Sequence, residues 1–248
     1  MLAAGCKNGD VAITETRTTL QVGERSVDLV VYATEAPGLT YVNVHDNEQT
    51  SVEAALQVLR ARGGNVIVLK HSGERNITFT LGDSVYVFDP NRMFTDEGAR
   101  RTLEDLSRYT PEAHAAVRQF AEEVLAFYNL PALTAVITLH NNTGDEYTAL
   151  SYAAGGEYET DARAVFVREG SDPDDFFFVT DAGIYDALRA RGFNVVLQDN
   201  EQATDDGSLS VYCGQHGLPY INAEAQHGHL RPQVAMLKAL DEMLRVEQ

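Results

Sequence analysis

The sequence predicts an α/β protein of three layers, α/β/α, around a mixed, mostly parallel central sheet. Two observations predict it. Apolar runs of strand length alternate along the chain with segments of helical apolar spacing. The run Asn65 to His71 is apolar almost throughout, as a strand covered on both faces is. At 248 residues, 44% of them apolar, the chain can build one such domain with a sizeable core, or two small ones. No internal repeat, low-complexity segment or linker divides it. The expectation is therefore a single domain over 1–248, with residues 1–10 as a flexible terminus.

Each element has its own signal. Val11 to Val22 and Ser26 to Ala33 read as two strands around the Gly23-Glu24 turn, and Tyr41 to His45 as a short strand. Ser51 to Arg62 carries Val52, Ala55, Leu56 and Leu59 at helical spacing, and Gly63-Gly64 stops it. Asn65 to His71 is a buried strand. Ile77 to Leu81 and Ser84 to Phe88 alternate around Gly82-Asp83 as a hairpin. Asp96 to Ser107 and Pro111 to Tyr128 read as helices, the second with Pro111 in its first turn, where a missing N–H costs nothing. Thr134 to His140 is a strand. Residues 141–163, rich in Gly, Asn, Asp, Glu and Tyr, read as a long loop beside the strand end, and loops of that length are often functional. Ala164 to Arg168 and Phe176 to Val179 are strands, Ala182 to Arg191 a helix ended by Gly192, and Phe193 to Gln198 another strand. Ser208 to Cys213 and Tyr220 to Ala225 complete the series. Pro232 to Val246 is a terminal amphipathic helix.

Charge narrows the partners. The 37 acidic residues against 19 basic ones leave a formal charge of −18. That balance argues against nucleic acid, whose phosphates it repels, and disfavours an anionic membrane surface. A solvated acidic surface explains it more simply than a specific cationic partner. The two cysteines, Cys6 and Cys213, cannot make a disulfide framework. No apolar stretch reaches the roughly 18 residues of a membrane span. Leu2-Ala3-Ala4-Gly5-Cys6 resembles the end of a bacterial lipoprotein signal, without the charged and apolar regions that precede one. If the segment is the remnant of such a signal, the cell envelope is the expected location; otherwise it is the cytoplasm.

Chemistry-bearing residues gather at strand ends, where sites form in open α/β sheets. Tyr41-Val42-Asn43-Val44 leads into His45-Asp46-Asn47-Glu48, and Ala135 to Leu139 leads into His140-Asn141-Asn142. His45, Glu48 and His140 make a two-histidine, one-carboxylate set that suits Zn2+ at about 2.0–2.2 Å and leaves a fourth position for water. Taken alone, His45 and Glu48 read as a solvated turn into a helix, and His140 as a core histidine. Their common placement at strand ends favours the metal set. Asn141 and Asn142 would orient ligands or meet substrate. Between the histidines, Asp89-Pro90-Asn91-Arg92-Met93-Phe94 follows an apolar strand. As a plain turn it pairs Arg92 with Asp89 or Asp96; as a functional one it gives Arg92 a carboxylate to grip, with Asn91 adding an amide contact.

Taken in order, His45-Asp46-Asn47-Glu48, Asp89-Pro90-Asn91-Arg92-Met93-Phe94 and Leu139-His140-Asn141-Asn142-Thr143 resemble the succinylglutamate desuccinylase/aspartoacylase branch of the zinc carboxypeptidase superfamily. Members of that branch carry an H-x-x-E pair, a D-x-N-R-x-F segment and an H-N-T-like segment. The resemblance spans residues 40–225 and rests on the motifs. It implies a zinc carboxypeptidase-like fold and a catalytic glutamate on a late strand, a place that Glu224 in Tyr220-Ile221-Asn222-Ala223-Glu224 fills. Glu224 would then be the general base toward the attacking water and pass the proton to the leaving nitrogen. The branch often carries an additional C-terminal β domain, which is expected to be absent here, so its substrate specificity does not carry over. For His227 and His229, lining the pocket or binding a second metal is one reading, and polar loop residues outside the metal set the favoured one; for Arg75, adding positive charge to the pocket is one reading, and a surface cation paired with Glu74 or another acid the favoured one. His71, His114 and His216 have no supporting context, and Cys213 reads as a small packed residue.

The expected activity is that of a zinc-dependent hydrolase of amide bonds. One Zn2+ per chain sits on His45, Glu48 and His140, Glu224 is the base, and Arg92, Asn91 and Asn141 meet a substrate with a free carboxylate. That substrate is a peptide with a free C-terminus, favoured slightly, or an N-acyl amino acid. The rivals are a non-catalytic binding module of the same fold and a structural domain whose motifs coincide by accident. No Gly-x-Ser-x-Gly elbow or Walker loop supports other hydrolase chemistries.

Overall fold

The computed structural model describes residues 11–143 and 147–245. The Leu2–Cys6 segment, the terminus 1–10 and Val246 at the end of the last expected helix lie outside the described residues. The strands are β1 (Ile13–Val22), β2 (Arg25–Thr34), β3 (Thr40–Asn43), β4 (Asn65–Lys70), β5 (Ile77–Leu81), β6 (Ser84–Phe88), β7 (Val136–Asn142), β8 (Ala162–Phe166), β9 (Phe176–Val179), β10 (Val195–Gln198) and β11 (Tyr220–Gln226). The helices are α1 (Gln49–Arg62), α2 (Asp96–Leu106), α3 (Pro111–Tyr128), α4 (Ala182–Ala190), α5 (Leu209–Gln215) and α6 (Leu230–Arg245).

Nine strands form one sheet in the order β1-β2-β4-β3-β7-β11-β9-β10-β8, and β5 and β6 form a separate hairpin. In the large sheet β1, β3, β4, β7, β8 and β11 run one way and β2, β9 and β10 the other, so the sheet is mixed and mostly parallel. Helices cover both faces. Val58 of α1, Leu188 of α4 and Leu237 of α6 pack with Tyr41, Val66, Ile137 and Ile221. Leu103 of α2, Phe120 of α3, Leu209 of α5 and Phe88 of the hairpin pack with Val42, Ile67, Val136 and Phe178. Adjacent residues of one strand thus enter different cores, as the two-residue period of a strand requires. The three expected layers are present.

Local signals end where the sequence places them. The Gly63 N–H bonds the Leu59 carbonyl at 2.8 Å, and its φ of 80° turns the chain out of α1. Thr110 caps α3 by accepting from the Ala113 N–H, with Pro111 next to it. Two segments differ from expectation. Ser208 to Cys213 is not a strand. Ser208 accepts from the Val211 N–H and starts the short helix α5. Within the expected loop at 141–163, β7 runs on to Asn142, 3-10 turns occupy Ala149–Tyr152 and Glu159–Asp161, and β8 begins at Ala162; residues 144–146 lie outside the described residues.

The fold lays a polar strip beside an apolar one. On β7, Thr138, His140 and Asn142 alternate with Ile137 and Leu139. On β11, Asn222 and Glu224 alternate with Ile221 and Ala223. The apolar members enter the core under α1 and α6. The polar members face the opposite side, at the carboxyl ends of parallel strands.

Candidate functional site

His45 lies two residues beyond the end of β3, fully buried, and the Glu48 N–H closes a tight turn on the His45 carbonyl at 3.2 Å. The turn brings Glu48 Oε1 to 2.8 Å from His45 Nδ1. His140, on neighbouring β7, places its Nδ1 3.1 Å from His45 Nδ1 and 3.2 Å from Glu48 Oε2. Donors on a tetrahedral Zn2+ stand about 3.3 Å apart when each bond is about 2.0–2.1 Å. The set fits that ion. Two ring nitrogens facing each other so closely cannot both carry a proton, and both suit a shared cation. Oxygen and imidazole donors in one buried group also match zinc chemistry.

The ligand atoms are held from behind. His45 Nε2 bonds Asp89 Oδ1 at 2.8 Å, which leaves Nδ1 free to donate its lone pair. The Asn141 N–H bonds Glu48 Oε2 at 3.1 Å. The Asn141 side chain is engaged inside the protein: Oδ1 accepts from the Ser51 N–H, and Nδ2 donates to the Ala225 carbonyl and to Gln233 Oε1. Buried Gln233 of α6 in turn donates to the carbonyls of His140 and Ala223, tying β7 to β11. No sequence signal marked Gln233.

Glu224 faces His140 across the β7–β11 register and is 4% exposed. Asn222 Nδ2 donates to its Oε2 at 2.9 Å. Glu48, Arg75, His140, Glu224, Arg92 and Asn91 all line one cavity of about 640 Å³, together with Tyr147 and Tyr152, whose hydroxyls bond each other at 2.7 Å. Arg92 and Asn91 sit in the 3-10 turn Pro90–Arg92, which Asp89 caps by accepting from the Asn91 N–H. Arg92 pairs with Asp206 at 3.4 Å, rather than with Asp89 or Asp96. Asn91 Oδ1 accepts from the Leu209 N–H at the start of α5.

Electrostatics sort the acids into two kinds. Burial pushes Glu48 up, but His45 and His140 outweigh it and hold it well below the usual carboxylate range. Asp89 is likewise buried yet lowered, by His45 and then Arg75. Burial lowers His45, and Glu48 and Asp89 overcome this and raise it to about 9. His140 is lowered, chiefly by burial. Glu224 is the exception among the acids. Burial, with Glu48 adding to it, raises it to about 8.

Arg75 is not a partner of Glu74. Its Nη1 bonds Glu48 Oε1 at 2.9 Å, and its Nε and Nη2 each lie 3.2 Å from Asp89 Oδ2. His229 lies apart from the metal group, with Nδ1 at 3.3 Å from Asp175 and 4.0 Å from Asp172. The His227 N–H bonds the Asn142 carbonyl. Cys213 is buried in the core. Among the described residues no helix is long and apolar enough to cross a membrane.

No family model and no curated protein matches the chain. Solved structures similar to it include an aspartoacylase family protein from Mesorhizobium loti, at 15% identity over 95% of this chain and 68% of that one, with a TM-score of 0.46. A succinylglutamate desuccinylase/aspartoacylase from Rhodobacter sphaeroides is 13% identical over 98% of this chain and 68% of that one, with a TM-score of 0.44. The murein-tripeptide amidase MpaA from Escherichia coli O157 is 14% identical over 98% and 96%, with a TM-score of 0.42.

Proposed function

We propose that the chain is a zinc-dependent hydrolase that cleaves an amide bond next to a substrate carboxylate, with residues 1–248 acting as one catalytic domain. The observation that carries this reading is the convergence of His45 Nδ1, His140 Nδ1 and the Glu48 carboxylate on one point of a cavity that also holds Glu224 and Arg92. Those three side chains would hold one Zn2+, which polarises a carbonyl and activates water.

The chain's own groups do the rest. Glu224 takes a proton from the attacking water as the new C–O bond forms. It returns that proton to the leaving nitrogen as the C–N bond breaks, giving a carboxylate and an amine. A carboxyl raised to about 8 is a stronger base than an ordinary one when ionised, and the proton it takes up is then retained near neutral pH until the leaving nitrogen accepts it. Arg92 donates from Nη1 to the Asn91 carbonyl at 2.9 Å and makes a long ion pair to Asp206, which is itself partly exposed and which a substrate carboxylate would replace. Asn91 offers its amide nitrogen to the same group. Asn141 acts through Glu48, whose oxygen its N–H holds. A cavity of about 640 Å³ is of the size that takes drug-sized ligands, a range that admits either a peptide with a free C-terminus or an N-acyl amino acid.

The test is the metal content of the purified protein beside His140→Ala, followed by rates on carboxyl-terminal peptides and N-acyl amino acids. About one zinc per chain, lost in the variant, with turnover of either substrate class, is the expected result. Absence of zinc in the wild type after reloading would leave a non-catalytic module of this fold instead.

A further inference from the structure

Arg92 shares the cavity with an acid that the fold keeps beside it. Its Nη2 lies 3.4 Å from Asp206 Oδ2, longer than a close charge-assisted bond of about 2.7–2.9 Å, and the two side chains are 37% and 40% exposed. Both neighbours of Asp206 are anchored without help from that pair. The Thr95 hydroxyl donates to Asp205 Oδ1 at 2.6 Å, and the Phe94 N–H donates to the Gly207 carbonyl at 3.0 Å. Gly207, at a φ of 78°, packs so closely on the Arg92 carbonyl oxygen that a Cβ there has no room. The Ser208 N–H holds Asp206 Oδ1 at 2.9 Å, and Oδ2 is the oxygen that meets Arg92.

A substrate carboxylate that takes the fork of Arg92 breaks the pair, but the backbone leaves Asp206 in place. Its Oδ2 then stands ionised in the cavity next to the carboxylate that displaced it, and like charges brought together cost affinity. A cation on the substrate removes that cost. Other groups of the cavity favour the same chemistry. Asn142 and Asn222 line it, each 6% exposed. The Nδ2 of Asn142 donates to the Asp174 carbonyl and that of Asn222 to Glu224, while neither Oδ1 has a partner among the described residues. A buried carbonyl oxygen left unpaired costs free energy, and only a donor relieves it. Glu157 and Asp161 line the same cavity. A cation that carries N–H groups suits these acceptors; a second carboxylate or an apolar side chain suits none of them.

We propose that Asp206 is a specificity-determining residue, and that it selects substrates in which the residue with the free carboxylate also carries a basic side chain, an ammonium or a guanidinium. The proposal deepens the reading of Arg92 as the holder of a substrate carboxylate and rests on it. On binding, one loose ion pair is exchanged for two, Arg92 with the carboxylate and Asp206 with the side-chain cation.

The experiment compares kcat/KM of the zinc-loaded protein on N-acyl dipeptides that end in lysine, norleucine or glutamate, and in parallel the affinity of the three free amino acids by calorimetry. Norleucine is lysine without its ammonium, so their ratio isolates the cation. The wild type is expected to prefer lysine over norleucine by about 10–100-fold, the worth of a hydrogen bond to a charged group, and to prefer glutamate least. Asp206→Asn, which keeps an acceptor for the Ser208 N–H, brings lysine and norleucine to parity, and Asp206→Lys raises glutamate above lysine. Each ratio is taken on one variant, so a general loss of stability or of zinc cancels from it. No lysine preference in the wild type, or a preference that survives in Asp206→Asn, overturns the proposal. Lysine amide bound as tightly as lysine removes the Arg92 reading and this one with it. Wild type that turns over none of the dipeptides takes away the hydrolase alone, and the amino-acid affinities then decide this proposal by the same ratios.

Discussion

Glu224 is held where an ionised carboxylate is costly: buried, in view of Glu48, and with one side-chain donor from Asn222. Its proton has a consequence for stability that needs no substrate. The folded-state value near 8 lies above the ordinary 4.5, so between those values the folded protein keeps a proton that the unfolded chain has released. Stability from this group is fully present below about pH 4.5 and is lost as pH rises through 8. Glu224→Gln removes that loss. In chelator-treated protein it should stabilise by a few kcal/mol at pH 8 and by little at pH 4.5. Thermal unfolding at the two pH values checks this, and equal effects at both would refute it. On a turned-over substrate the same variant should lower kcat by about 10²–10⁴-fold while leaving zinc content unchanged. At this scale the ends of strands were legible. His45, His140 and Glu224 stand out because polar groups close or interrupt apolar runs. Arg75 was legible only in part. In Gly73-Glu74-Arg75-Asn76 a pocket cation was one reading and a solvated turn cation the favoured one; it lines the cavity, and its partners Glu48 and Asp89 are 27 and 14 residues away. Asp89 was read as part of a turn, and nothing local announces that it holds a histidine 44 residues upstream.

At the scale of elements, the turn that carries Arg92 depends on a close approach. Gly98 in the first turn of α2 lies against Gly207, and a Cβ at Gly98 would meet the Gly207 Cα at 2.1 Å and the Arg92 carbonyl oxygen at 2.8 Å. The Phe94 N–H also bonds the Gly207 carbonyl at 3.0 Å, so the α2 start, the Arg92 turn and the segment before α5 move as one piece. Gly98→Ala must push them apart. It should cost about 1–3 kcal/mol in stability. It should also raise KM for carboxylate-bearing substrates by more than it lowers zinc affinity, since the ligand set lies on other elements. A weakened zinc site with unchanged KM would contradict this. Helices with strong caps were readable: α3 shows Thr110, Pro111 and, at its end, Asn129 in the left-handed region. Helix α5 was not, because seven residues carry too little period to separate helix from strand, and only the Ser208 cap marked it.

At the scale of the whole molecule, layers follow from the alternation of strand and helix, but strand order does not. That β7 lies between β3 and β11, and so brings His45, His140 and Glu224 together, is settled by long-range packing rather than by any local pattern. The sheet leaves His140 on β7 and both His45 and Glu48 on the turn between neighbouring β3 and α1, with Asp89 reaching in from the β5–β6 hairpin side. A metal held there ties elements that are distant in sequence, and none of that geometry exists in the unfolded chain. Binding to the folded state alone stabilises it by mass action, by about 4 kcal/mol at a thousandfold excess over Kd. For a chain of this size that is a rise in Tm of roughly 8–16 °C. Zinc should therefore raise the Tm of chelator-treated protein in proportion to the logarithm of its concentration, and His140→Ala should abolish the rise while leaving the Tm without metal within a few degrees of wild type. A rise of equal size in His140→Ala would mean that zinc acts elsewhere, with the His229–Asp175 pair as the place to look next.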